Sequence, residues 1–328
     1  MISVVLPVHN GGPYLEESVR SVLSQSHSQL ELILIDDRSS DDSIQKLDQT
    51  DQRLKIYQSV GAGVVNAFNT GLGLCKGDYI ARMDADDVSM PQRLACQLAY
   101  LNLHPEVDIA GSCVEIFSSA GIEGGLRRYQ QWLNSVRHPE QVHRQIFIES
   151  PLPNPGILFR RTALQQLKGY RDTQWPEDYD LLLRADAAGM RMGKPDPVLL
   201  KWREHEHRLT HTDSRYSRKR FMQAKAHFLV KHRLKGCAVI IWGAGPTGRL
   251  MHDLLIAEGG KIDGFIEVHP RRIGGKKRDL PVWAGDKIKQ QTTEMVLVAV
   301  GSAGAREEIA DFMHKYAKIE GQDYLFVA

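Results

Sequence analysis

The segment "ARMDADDVSMP", residues 81–91, places Asp84, Asp86 and Asp87 within four positions, after an apolar run and before a proline. Carboxylates packed so closely repel one another and are costly unless cations or hydrogen-bond donors compensate. Magnesium and manganese take oxygen ligands, bind through one or two carboxylates and keep positions open for substrate phosphates. On an extended segment the D-x-D spacing turns Asp84 and Asp86 to the same side, which suits a divalent ion. The competing explanation is a solvated turn capping the helix that starts near "MPQRLACQLAYL", a place where Asp is common. A second acidic pair, Glu177 and Asp178 in "WPEDYDLLLR", stands at the start of a helical run. A helix N-terminus stabilises carboxylates there whether or not they act on a substrate.

The elements that position these groups follow a simple alternation. "ISVVLPV" reads as a buried strand, and "GGPYLEESVRSVLSQS" as a helix with Pro13 near its first turn. "LELILIDD" is a second strand ending in Asp36 and Asp37, "SIQKLDQT" a short helix, and "LKIYQS" a third strand. "GVVNAFNTGLGLC" is a glycine-flanked helix, and "DYIARMDADD" a fourth strand running into the acidic turn. Such alternation predicts an open, mainly parallel α/β sheet, in which ligands bind outside the carboxyl ends of the strands. "PVHN", "DDRSSDD" and "DADD" follow three of those ends.

Composition limits the partners. Against 40 acidic side chains stand 42 Lys and Arg, a formal charge of +2, too small a field to draw nucleic acid to the whole protein. The four cysteines, Cys75, Cys96, Cys113 and Cys237, form no C-x-x-C pair, so they predict reduced thiols rather than a disulfide framework or a cysteine zinc site. No signal-peptide pattern and no membrane-length apolar window is present, which predicts a cytoplasmic protein.

Taken in order, "SVVLPVHNGGPYLEESVRSVLSQS", "ELILIDDRSSDDS", "NTGLGLCKGDYIARMDADDVSMPQRL" and "WPEDYDLLLR" resemble the successive signatures of family 2 glycosyltransferases with a GT-A nucleotide-diphospho-sugar transferase fold, over residues 1–215. The resemblance implies transfer of a sugar from a nucleotide diphosphate, typically UDP, to a saccharide or lipid-linked acceptor hydroxyl, with inversion at the anomeric carbon. It implies that Pro7, His9 and Asn10 line the nucleoside pocket and that Asp37 accepts a hydrogen bond from the base. Asn69, Asp84, Ala85 and Asp86 complete the donor site, with Mn2+ or Mg2+ held by Asp86, Asp84 and His205; His207 competes with His205. Asp178 is the implied catalytic base, with Glu177, Trp175 and Asn154 on the acceptor side. Three positions depart from the family pattern: His9 replaces a common Tyr, Phe68 a common Arg, and Asn154 a His. On spacing alone, Asp180 and Arg184 are an ordinary i, i+4 ion pair.

Beyond residue 215 the chain changes character. A basic helix over 216–234 reads as a linker, compatible with water, an acidic partner or the inner face of a membrane. Then "CAVIIWGAGPTGRLMHDLLIAEGGKIDGFIEVHP" carries a G-x-G-x-x-G turn, with Gly243, Gly245, Gly248 and a following acidic residue, Glu267. That fingerprint, with "LPVWAGDKI" and "TEMVLVAVGSAGAREEIADFM", predicts a small Rossmann-like α/β domain over 235–328 and a second nucleotide site, with NAD(P) as a candidate ligand. No His/Lys dehydrogenase pattern accompanies it, which favours a structural or regulatory module. "HPRRIGGKKRD" adds a local basic patch. Three rivals stay open: a nucleotidyltransferase, whose arginine-bearing glycine loop "PVHNGGPYL" lacks; an oxidoreductase working through the tail; and a scaffold that binds nucleotide without transfer.

Overall fold

A computed structural model describes residues 1–290, 294–302 and 304–328. The chain divides into two compact units, one of residues 1–143 and 151–213, the other of residues 144–150 and 214–328.

In the first unit the strands are β1 (Ile2–Val8), β2 (Leu30–Asp36), β3 (Leu54–Gln58), β4 (Tyr79–Arg82), β5 (Val88–Ser89), β6 (Val107–Ala110), β7 (Cys113–Phe117), β8 (Leu158–Arg160), β9 (Arg191–Gly193) and β10 (Val198–Arg203). The helices are α1 (Leu15–Leu23), α2 (Val64–Leu74), α3 (Arg93–Leu103), α4 (Gly124–Ser135), α5 (Pro139–Gln145), α6 (Arg161–Leu167), α7 (Glu177–Ala187) and α8 (Leu209–Thr212); α5 crosses the boundary between the units. Seven strands form one sheet in the order β3-β2-β1-β4-β8-β6-β9, and β5-β10-β7 form a second. The first four strands are parallel, and β8 runs antiparallel to β4 and β6. Every residue of β1 and β2 is buried, as expected of strands covered on both faces. The chain returns from β3 to the other side of β1, so the order reverses between β1 and β4, where such sheets open a crevice.

Two local expectations are corrected. Residues 43–50 form turns rather than a helix. The backbone closes single turns here, with the Lys46 amide on the Asp42 carbonyl and the Leu47 amide on the Ile44 carbonyl, both at 3.2 Å, after which the Asp48 carboxylate takes the Thr50 amide at 2.9 Å. The acidic segment also does not continue as a strand: β4 ends at Arg82, and Ala85 and Asp86 form a turn.

The second unit holds α9 (Arg218–Phe228), then β11 (Ala238–Trp242), α10 (Pro246–Ala257), β12 (Lys261–Ile266), β13 (Lys276–Lys277), β14 (Leu280–Trp283), β15 (Met295–Val298), α11 (Ala305–Lys315) and β16 (Tyr324–Phe326). Its sheet runs β13-β14-β12-β11-β15-β16, parallel except at β13. Of the segment read as "TEMVLVAVGSAGAREEIADFM", Thr293 and Ala303 lie outside the described residues. The basic helix read as a linker is part of this unit. α9 buries Met222, Ala224, Ala226 and Phe228, and Lys225 is buried with them. Its ammonium donates to the carbonyls of Ile148 at 2.7 Å and Val327 at 3.2 Å. All four cysteines are free.

Candidate functional site

The carboxyl ends of β1 and β2 are stitched together by side chains. Asn10 takes a left-handed conformation, φ 54°, which Asn tolerates better than most residues. Its Oδ1 accepts from the Ser40 amide at 2.7 Å, while its own amide donates to Ser39 Oγ at 3.0 Å. His9 Nδ1 lies 2.8 Å from the carbonyl of Asp37. Asn10 is thus a scaffold for the pocket wall. Pro7 lies in buried β1. Asp37 is buried, and its Oδ2 accepts from the Gly63 amide at 2.7 Å. Its Oδ1 has no partner among the described residues. A buried acceptor left unmade costs roughly 1–3 kcal/mol, so an N–H group brought by a ligand would be favoured there.

At the end of β4 the three aspartates separate. Asp84 receives Arg82 Nε at 2.8 Å and Nη2 at 2.6 Å, both on Oδ1. Asp86 Oδ2 lies 2.9 Å from His205 Nε2. Asp87, buried, accepts the Arg203 amide at 2.7 Å, and burial followed by its two neighbouring carboxylates raises its pKa well above the usual range. Asp84 and Asp86 stand at a turn rather than on an extended segment, and each carboxylate has its own partner. Ala85, half-buried, is the small residue at that turn. Arg203 braces it from β10, donating from Nε to the Asp86 carbonyl at 2.7 Å and lying 4.4 Å from the Tyr14 ring centroid. Ser18 on α1 holds the Asp84 carbonyl at 2.8 Å.

His205 is the histidine brought to the acidic turn, 5.2 Å from the Tyr14 ring, and its Nδ1 is buried without a partner among the described residues. His207 stays exposed and faces Glu206 at 3.7 Å. Among the described residues no three metal-ligating side chains gather into a finished cage. Asp86 and His205 are suited in chemistry to a divalent ion, while Asp84 is engaged by Arg82; such an ion would complete its shell with substrate phosphates.

The second acidic pair starts α7. Glu177, the first helical residue, is buried and Asp178 half-buried, both in the first turn at the positive end of the helix. Asp180 fixes that end: it accepts Trp175 Nε1 at 3.0 Å and Arg184 Nε at 2.6 Å. Arg184 also donates to the Gly169 carbonyl at 2.8 Å, so the expected i, i+4 ion pair is present and is a buried clamp. Trp175 thereby holds the start of α7. Asn69 has its amide committed, donating to the Tyr170 carbonyl at 2.9 Å and accepting the Tyr170 amide at 3.0 Å. The Tyr170 hydroxyl in turn donates to Asn154 Oδ1. Phe68 packs on Tyr170, ring centroids 4.5 Å apart, which is where a hydrophobic floor replaces the common arginine.

Sequence reasoning passed over Arg82, which read as one more residue of a strand. It lies 3% exposed, with its guanidinium 5.3 Å from the Phe68 ring. Burial opposes its charge, but Asp84, Tyr170 and Glu177 outweigh that and raise its pKa. The same groups, with Asp178, act on the Tyr170 phenol, whose pKa burial pushes far up. An isolated cation between Ala81 and Met83 in a buried strand was the available signal.

In the second unit the glycine turn is built for backbone packing. Gly243 has φ 111°, and a Cβ on Gly248 would stand 1.8 Å from the Gly243 carbonyl oxygen, so α10 can approach β11 only without one. Gly245 precedes α10 as its cap. Glu267 does not await a ribose: it accepts the Val268 amide at 3.0 Å and Arg272 Nη1 at 3.0 Å. The basic patch is partly neutralised too, since Arg278 Nε donates to Asp253 at 2.8 Å.

Known proteins were compared with the chain. The family model described as Glycosyl transferase family 2 matches residues 3–168. EpsE of Bacillus subtilis is 34% identical over 211 residues, covering 62% of this chain and 73% of that protein. The O-antigen biosynthesis glycosyltransferase WbnJ of Escherichia coli is 29% identical over 213 residues, covering 62% of this chain and 80% of WbnJ. Among solved structures, S. aureus TarS residues 1–349 in complex with UDP-GlcNAc superposes with a TM-score of 0.56 at 18% identity, covering 78% of this chain and 71% of that one. The parallel strands ending in Asp37 and in the acidic turn have the GT-A architecture expected from the sequence. With the family match spanning the same strands, the chain belongs to glycosyl transferase family 2.

Proposed function

We propose that this glycosyltransferase is metal-dependent and inverting, and moves a sugar from a UDP donor to an acceptor hydroxyl of a cell-surface glycan precursor. The observation that carries the reading is a shared floor of Phe68 and Tyr170: Arg82, bonded to Asp84, lies over Phe68, Tyr170 packs on Phe68 and bonds Asn154, and after burial itself Asp178 and Glu177 help to raise the Tyr170 pKa. A transfer between two substrates needs a pair of centres, one for the leaving group and one for the incoming hydroxyl.

In this reading the uracil N–H meets the unpaired Oδ1 of Asp37, and His9 lies beside the base. Asp86 and His205 hold Mn2+ or Mg2+, with Asp84 next to them at the ribose. The ion, when bound, supplies positive charge that stabilises the departing diphosphate. Asp178 takes the proton from the acceptor hydroxyl as that oxygen attacks the anomeric carbon and UDP leaves from the opposite face, which inverts the centre. Glu177 and Asn154 orient the acceptor. The surface-glycan assignment rests on WbnJ, whose name places it in O-antigen synthesis, and the UDP assignment on Asp37 and on TarS, whose structure holds UDP-GlcNAc. A lipid-linked acceptor would bring the protein to a membrane face, although among the described residues no helix is long and apolar enough to cross one. NAD(P) has no part in this reading, because Glu267 is already paired.

The test is thermal stabilisation by UDP, GDP, dTDP and NAD, each with and without manganese. UDP is expected to raise the melting temperature only with manganese, and Asp86→Ala to abolish the rise. Stabilisation by NAD alone would overturn the reading.

A further inference from the structure

The site contains a cation that the proposed transfer does not use. Arg82 presents five N–H groups, of which Nε and Nη2 converge on one oxygen of Asp84. Nη1 is buried and has no partner among the described residues. A surface arginine would lend such a group to water, but this side chain is 4% exposed.

The group is also held in place from several directions. The Arg82 amide donates to the Ile157 carbonyl at 3.0 Å, and the Arg82 carbonyl accepts Arg93 Nη2 at 2.6 Å. Arg93 is itself buried and bonded through Nε to Gln97, whose amide reaches the carbonyls of Gly111 at 3.0 Å and Gly156 at 2.8 Å. Phe68 lies against the guanidinium. A rigid frame that leaves one charged donor unmet is arranged for a ligand, because the frame cannot relax to satisfy it.

Its location says which part of the ligand. Arg82 carries Asp84 on one side and lies over the Phe68 ring on the other, and Phe68 packs on Tyr170, whose hydroxyl donates to Asn154. In the proposed reaction the diphosphate lies at Asp86, beside Asp84 at the ribose, and the attacking hydroxyl at Asp178. The sugar ring must bridge the two, and Arg82 lies along that span. We propose that Arg82 is a specificity-determining contact that holds the Asp84 carboxylate through two N–H groups and donates its Nη1 hydrogen to a hydroxyl or acyl oxygen of the donor sugar. This rests on the reading of the site as a UDP-sugar site. Lysine could keep the charge but not serve both oxygens from one planar fork.

The test compares UDP with UDP-glucose, UDP-galactose and UDP-GlcNAc, each with manganese, by calorimetry on the full chain and on Arg82→Met and Arg82→Lys. The wild type is expected to bind at least one UDP-sugar more tightly than UDP. Arg82→Met should lower affinity for that UDP-sugar about 10- to 100-fold more than it lowers affinity for UDP, because the bonds to Asp84 are lost for both ligands and the Nη1 bond for the sugar alone. In turnover the donor KM should rise more than kcat falls, and Arg82→Lys should recover only part of it. Equal losses for UDP and the UDP-sugar would overturn the proposal and reduce Arg82 to a prop for Asp84. Unchanged affinities in both variants would also overturn it. If Arg82→Met does not fold, Arg82→Lys carries the same comparison. A wild type that binds no nucleoside diphosphate with manganese would sink the proposed function, and this inference with it; a wild type that binds while Arg82 variants fail to discriminate would sink the inference alone.

Discussion

Each unit of this chain buries a cation near the end of a parallel strand, and the two are treated differently. Lys225 in the second unit donates to two carbonyls of its own unit, Ile148 at 2.7 Å and Val327 at 3.2 Å, and burial lowers its pKa to about 8. Arg82 in the first unit keeps its charge through Asp84, Tyr170 and Glu177 and leaves an N–H unmet. The same contrast holds for carboxylates at the strand ends. Asp37 keeps a bare buried oxygen, whereas Glu267, in the place where a dinucleotide fingerprint would have a ribose acceptor, is bonded to Val268 and Arg272. A glycine motif reports how a turn must pack; an unmet polar atom in a rigid frame reports that something is expected there. The family match falls on the first unit, where these two unmet atoms stand at strand ends.

The sharpest way to break the contrast is Asp178→Asn. An amide cannot take the acceptor's proton, so transfer should fall about 10²- to 10⁴-fold. Stabilisation by UDP with manganese should persist, since α7 keeps its Asp180 clamp. Transfer that survives in this variant, or UDP binding that vanishes with it, would remove Asp178 from the role of base. Next in size is Asp37→Ala. It deletes the bare acceptor, and affinity for UDP should drop about 10- to 100-fold, the worth of one charged hydrogen bond. NAD binding, if any is detected, should not change. A calorimetric titration that finds UDP affinity intact would show that the unmet oxygen serves no base.

Much of this arrangement was legible before the structure. The alternation over β1, α1, β2 and β3 fixed where polar strand ends would converge, because buried strands and amphipathic helices leave their periodicities in the sequence. Asp37, Asp86, Asp178 and His205 are candidates for that reason together with the family pattern, and the structure brings Asp86 and His205 together. What stayed hidden depends on side-chain pairing. The three aspartates look equivalent in a string, yet a turn at Ala85 and Asp86 sends Asp84 to Arg82, Asp86 to His205 and Asp87 to the Arg203 amide. Asn69 looked like a donor contact because of its neighbours in sequence, while its amide is matched to the backbone of Tyr170, 101 residues away. Residues 43–50 have helix-compatible composition, but the carboxylates of Asp41 and Asp48 accept the amides of Ser43 and Thr50 two residues on.

A smaller effect tests the second unit's self-sufficiency. Lys225 has its folded pKa lowered from 10.5 to about 8, so the unfolded chain binds more protons between those values. Stability should therefore rise as pH increases from about 8 towards 10.5, since the burial penalty on the cation disappears once the amine is neutral. Thermal melts across that range should show this local gain against whatever the rest of the chain contributes, and Lys225→Met should remove it. If the wild type and Lys225→Met have the same slope above pH 8, the lysine is not the buried, bonded group described.

The smallest expected effect is the most useful for the comparison. Glu267→Gln keeps the side chain's size but weakens its bond to Arg272, an arginine that is 49% exposed. A pair open to solvent on one side contributes little, so the loss should stay below about 1 kcal/mol. The pH dependence has a definite sign. Burial would raise the Glu267 pKa, but Arg272 and the amides of Val268 and His269 outweigh it and hold the pKa below 4.5. Its stabilisation is therefore present above the unfolded value and is lost as pH falls through the folded one, so the variant and the wild type should converge in acid. Transfer and UDP affinity should be unchanged at neutral pH. Were Glu267→Gln instead to abolish binding of a nucleotide measured in the wild type, the carboxylate would have left Arg272 to meet a ligand, and the second unit would be a binding site whose unmet atoms appear only when its own pairs open.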